Sequence, residues 1–227
     1  MSARHLADFM AGSHRAQRSI VRSCKYQPIA RVVQHDEAKA VVAKVIRDGE
    51  GGAGALSAKA QELRARLADS DFDRDLFDHN ADYLDRFAAV LNHLKLPDAD
   101  RLLPGNLQAT KLKGVRVTLD LQFRLRRLTK TNKIRVGGGM LRYAKGKPLA
   151  VAVGEWQSAF LFGYLNSAPP EDGADAEPKL CLTVDAYAGV AYAAPTDSAS
   201  RFKNMSAACE TIAEWWPNIP PPPNAIL

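Results

Sequence analysis

The sequence predicts an α+β fold in which a helical N-terminal portion is followed by a mixed or antiparallel sheet flanked by helices. Two patterns carry this reading. Through about residue 94 the apolar residues recur at helical spacing, whereas from Val115 to Leu125 they alternate with polar ones, the period of a strand with one buried face. A third observation is charge. Lys111 to Lys147 holds twelve Lys and Arg against one acid, Asp120, a net +11 in a chain of net +6, which leaves −5 for everything else. The basic character is therefore local.

At 227 residues the chain is long enough for a substantial core. No stretch approaches the roughly 18 apolar residues of a membrane helix, and the first twenty residues lack a secretory apolar core, so no membrane partner and cytoplasmic residence are expected. Cys24, Cys181 and Cys209 are odd in number and far apart, which suggests neither a disulfide framework nor a metal knuckle; they read as small buried hydrophobes.

The organisation expected is a helical portion over 1–96, an α/β sheet portion packed on it over 106–219, and an extended Pro-rich tail over 220–227. Ala3 to Cys24 reads as helix interrupted at Gly12-Ser13, with Arg4, His14, Arg15, Arg18, Arg22, Lys25 and Arg31 as a second basic patch. Asp36 to Arg47 is a short helix with its acids favourably placed in the first turn. The glycine-rich stretch Asp48 to Ala55 reads as a loop, and helices are expected over Leu56 to Asp69, capped by Ser57, and over Asn80 to Leu94. Asp73, Asp75, Asp78 and His79 between them lack the central glycine and terminal Glu of a calcium loop and read as an acidic turn. Leu96 to Asn106, with its prolines and glycine, reads as the boundary between the portions.

In the second portion, Val115, Val117, Leu119, Leu121, Phe123 and Leu125 are expected to face one way along a single strand. A connection over Arg127 to Asn132 then returns the chain through Lys133 to Val136 as an antiparallel hairpin. Arg124, Arg126, Lys133 and Arg135 would crowd its polar face. Like charges facing across a strand pair cost stability, so a negative counterpart is expected, either acids from elsewhere in the fold or a polyanionic ligand. Gly137-Gly138-Gly139 lacks the spacing of a phosphate loop and reads as a bulge or twist in a strand. Leu149 to Leu165 is a core helix, with Glu155 beside Trp156 as its exceptional charge. Ala168 to Lys179 reads as an acidic, Pro-rich loop. Leu180 to Tyr187 and Gly189 to Ala194 are paired strands, and a last helix runs from about Met205 to Trp215.

The order of elements around Asp120, a helix, three strands, a helix and a further strand, distantly resembles the core of the restriction-endonuclease-like PD-(D/E)XK superfamily over about Asn80 to Tyr187. That resemblance implies a metal-binding Asp on the second strand, where Asp120 falls, and an acid and a Lys two apart on the third. The third strand here offers Gly138-Gly139-Met140-Leu141-Arg142 and no (D/E)-x-K, so the resemblance implies a degenerate or migrated site. Asp120, Glu155 and Asp185 are then the candidate catalytic carboxylates, Asp120 and Asp185 the metal ligands, and Lys133 or Lys145 the substitute lysine. Mg²⁺ or Mn²⁺ would be required only in that case, and no other cofactor is expected.

No His pair has metal-helix spacing and no G-x-S-x-G elbow occurs. The primary expectation is therefore a nucleic-acid-associated protein that holds the phosphate backbone of DNA or RNA through Arg124, Arg126, Arg127, Lys130, Lys133 and Arg135. The alternatives are a metal-dependent nuclease, or an interaction module whose positive hairpin docks an acidic partner, including the 168–179 stretch of a neighbouring copy in a homo-oligomer.

Overall fold

The computed structural model describes residues 1–26, 35–49 and 51–222; Arg31 of the expected basic patch and the end of the Pro-rich tail lie outside them. Helices α1 (Ala3–Ala11) and α2 (His14–Lys25) meet at Gly12-Ser13, where Ser13 caps α2 by accepting from the Ala16 amide. Helices α3 (Asp36–Asp48), α4 (Gly52–Ala65) and α5 (Asp71–Val90) follow. Strands β1 (Arg101–Pro104), β2 (Leu107–Leu112), β3 (Val115–Asp120), β4 (Phe123–Leu128) and β5 (Ile134–Arg142) precede α6 (Val151–Ser167). Strands β6 (Ala174–Asp185) and β7 (Val190–Ala193) and helix α7 (Ser198–Trp215) complete the fold.

The architecture is α+β with helices flanking the sheet. Five strands form one mixed sheet in the order β1-β4-β5-β6-β7, in which only β5 and β6 run parallel, and β2 with β3 makes a separate two-stranded ribbon. One face of the sheet buries Phe123, Leu125, Leu141, Leu180, Leu182 and Val184 against α3, α4 and α5. The other carries Met140 and Cys181 under α1, α6, α7 and the ribbon. Strand β6 is buried on both sides, which is why LCLTV reads as a nearly continuous apolar run.

Several boundaries differ from the sequence reading. Helix α4 begins at Gly52 rather than Leu56, because Gly51 takes the left-handed N-cap conformation and Leu56 is carried inward as a fully buried residue; Ser57 lies inside the helix and caps nothing. The acidic turn is the first half of α5, started by Ser70, which accepts from the Asp73 amide at 3.1 Å. The boundary segment contains β1, whose Pro104 ends an edge strand, where a missing amide is tolerated. Helix α7 starts seven residues early, at Ser198, so Met205 lies inside it.

The long alternating strand is two. Leu121 and Gln122 break it, their amides donating to Asn106 O and to Gly139 O, and the chain passes there from the ribbon to the main sheet. Val117, Leu119 and Leu121 serve one core and Phe123 and Leu125 the other, so the alternation continues unbroken in sequence while the face it describes changes.

Gly137 to Gly139 lie in the interior of β5, with a register shift against β6 between Val136 and Gly138. A Cβ on Gly137 would come within 2.2 Å of Leu180 O, and one on Gly139 within 2.0 Å of the Phe123 ring. The glycines are where neighbouring groups press against the strand.

Candidate anion-binding sites on the sheet

The basic hairpin forms, but its cations divide between two faces. In the β4–β5 register Arg127 lies opposite Arg135 and Arg126 opposite Val136, and directly opposed residues share a face. Arg135 is therefore grouped with Arg127, away from Arg124 and Arg126, and the four-residue cluster expected on one face does not assemble.

The negative counterpart comes from the same chain. Residues 168–179 are not simply a loop: Ala174 to Ala176 pair with Ile134 to Val136 as the start of β6. Asp175 bonds Arg135 at 2.8 Å, Glu177 holds Arg127 through both oxygens at 2.6 and 2.7 Å, and Glu171 bonds Arg126 at 2.8 Å. Lys130 and Lys133 stand exposed at the hairpin tip.

On the α6 side, Arg101 of β1 lies directly across from Arg126, and Arg124 sits two residues along. These three arginines line a cavity of about 290 Å³ roofed by Leu165, Pro170 and Glu171, with Glu171 its one carboxylate. Arg124 donates through Nε to Pro104 O at 2.9 Å. The sequence reading missed Arg101 because it took residues 96–106 for a connection, and Arg101-Leu102-Leu103-Pro104 carries no alternation that would mark a strand.

The three candidate carboxylates are not brought together. Asp120 ends β3, outside the main sheet, and lines a shallow cavity with Asp36 and Lys39. Glu155 pairs with Arg201 of α7 at 3.2 Å, whose guanidinium also lies 5.0 Å over the Trp156 ring. Asp185 is buried, and its oxygens accept from the amides of Leu149, Tyr187 and Ala188 at 2.7, 2.9 and 3.1 Å, which pins the end of β6 to the start of α6. These surroundings do not fit a divalent cation shared by the three. Among the described residues no group of three or more His, Cys, Asp or Glu side chains is placed to hold a metal ion. Lys145 is paired with Asp82 at 2.7 Å.

The second basic patch is partly spent on packing. Arg18 and His14 lie against Trp215, and Lys25 Nζ donates to Trp216 O, Pro217 O and Ile219 O at 2.7, 3.2 and 3.1 Å. Cys181 and Cys209 are buried as expected, whereas Cys24 is half-buried; burial raises all three thiols, Cys209 to about 11. Among the described residues no helix is long and apolar enough to cross a membrane. Comparison with family models, with curated proteins and with solved structures finds no match.

Proposed function

We propose that the protein binds the phosphate backbone of nucleic acid through the α6 side of the β1–β4 edge and the adjoining hairpin tip. The observation that supports this is the placement of Arg101, Arg124 and Arg126 around one cavity with Glu171 as the only carboxylate among the described residues. Arginines set directly across adjacent strands repel, and an anion between them relieves that cost. Arg101, Arg124, Lys130 and Lys133 are the contacting cations in this reading. Arg126, Arg127 and Arg135, each held by a carboxylate, fix the surface in place. The strand order, with β1, β4 and β5 as consecutive antiparallel neighbours followed by α6 and a parallel β6, supports the further proposal of a PD-(D/E)XK-like scaffold used for binding.

Fluorescence anisotropy of labelled duplex and single strands over a salt series tests the reading. Four phosphate contacts give a slope of log affinity against log salt of about −3 to −4 on a duplex, and Arg101→Ala with Arg124→Ala reduces its magnitude by about 2. Absence of binding to either form at low ionic strength would overturn it.

A further inference from the structure

A separate cavity of about 450 Å³ opens at the carboxyl ends of β5 and β6. This is the one place in the main sheet where two parallel strands end side by side, and α6 provides the crossover between them. Such crevices collect ligands because loops and a helix start converge on them while the strands hold the floor rigid.

Three cations face the cavity, Arg4 from α1, Arg142 from the end of β5, and Lys147 from the connection to α6. Two carboxylates also line it, and both are engaged. Asp8 accepts from Arg142 Nη2 at 2.8 Å, and Asp185 is occupied by its three backbone amides. Arg142 is 8 % exposed and further fixed by Gln157 Oε1 at 3.0 Å, so it is a rigid wall, and Arg4, Arg142 and Lys147 against Asp8 and Asp185 leave the lining a net +1. Arg4 and Lys147 are exposed at the rim. Helix α6 starts here without a side-chain cap at Ala150, which adds a favourable field for negative charge to a site the side chains already define. Leu149, Val153 and Tyr143 supply the remaining wall and leave room for an organic group beside the charged head.

The geometry points to a binding site for a small organic phosphate, its phosphate between Arg4, Arg142 and Lys147 and its organic portion against Leu149 and Val153. It is independent of the arginine cavity on β1 and β4, which has a different set of lining residues.

Phenyl phosphate and inorganic phosphate, titrated calorimetrically at matched ionic strength in chloride, are the probes. Phenyl phosphate is expected to bind one to one and more tightly than inorganic phosphate. In Arg4→Gln with Lys147→Gln, two exposed positions, with circular dichroism as the check that the fold is kept, its affinity is expected to fall about a hundredfold, as for two charge-assisted bonds. Arg101→Ala with Arg124→Ala leaves this binding unchanged while weakening nucleic acid, so the two readings fail separately. Undetectable binding, equal binding by the Arg4/Lys147 variant, loss of binding in the Arg101/Arg124 variant instead, or no preference for phenyl phosphate would each overturn the proposal.

Discussion

His35 is packed edge-on against both Tyr83 and Tyr143, which are themselves stacked at 4.1 Å, and its buried Nδ1 has no hydrogen-bond partner among the described residues. Burial, and then Lys39, lower its pKa; burial and then Arg4 do the same for His5. The folded protein thus binds fewer protons here than the unfolded chain. Their contribution to stability is complete above the ordinary histidine pKa of about 6.5 and is lost as pH falls through the lower folded-state values. The urea midpoint is expected to drop between about pH 7.5 and about pH 5. In His35→Phe, which keeps a ring in place and sacrifices no cap because His35 makes none, that drop becomes smaller. An unchanged pH profile in the variant would show that His35 is not one of the groups responsible.

Elements were legible in the sequence where periodicity and burial agree. Helices α1, α2, α3 and α6 and strand β7 fall near their expected places, as does β6 over Leu180 to Asp185, because each carries an apolar pattern of its own. Strand β1 was not legible, since four residues ending in Pro104 become a strand only when β4 supplies the partner. The division of the basic hairpin between two faces was also hidden: it depends on Arg127 meeting Arg135, and register is a property of the pair of strands. The acidic 171–177 stretch was visible as a candidate counter-charge, but only the parallel pairing of β6 with β5 delivers Asp175 and Glu177 to the arginines of its own chain. Glycine placement gives a contrast that thermal denaturation can measure. Gly137→Ala forces a Cβ onto the Leu180 backbone and should cost more than about 2 kcal/mol. Gly54→Ala, exposed within α4 and facing open space, should stabilise by up to about 1 kcal/mol. Equal effects at the two positions would mean that β5 and β6 are not in close contact at Gly137.

Across the whole molecule the charge is arranged so that one acidic segment lies beside an excess of arginines. Neutralising it with Glu171→Gln, Asp175→Asn and Glu177→Gln removes three exposed or half-buried partners. Such pairs contribute up to about 1 kcal/mol each, so stability should change by no more than about 3 kcal/mol. Nucleic-acid affinity at low salt should rise about tenfold, with a steeper salt slope. Weaker binding would instead assign these carboxylates the task of orienting the arginines. The two borders of the main sheet carry a different consequence. Each is a strand of only four residues, and β1 finishes in a proline that has no amide to offer an incoming chain. A neighbouring molecule therefore finds little template at β1 and β7 on which to add a strand. Self-association of this protein, if concentrated solutions show it, should proceed through side chains and leave the backbone amide infrared band of the sheet unchanged.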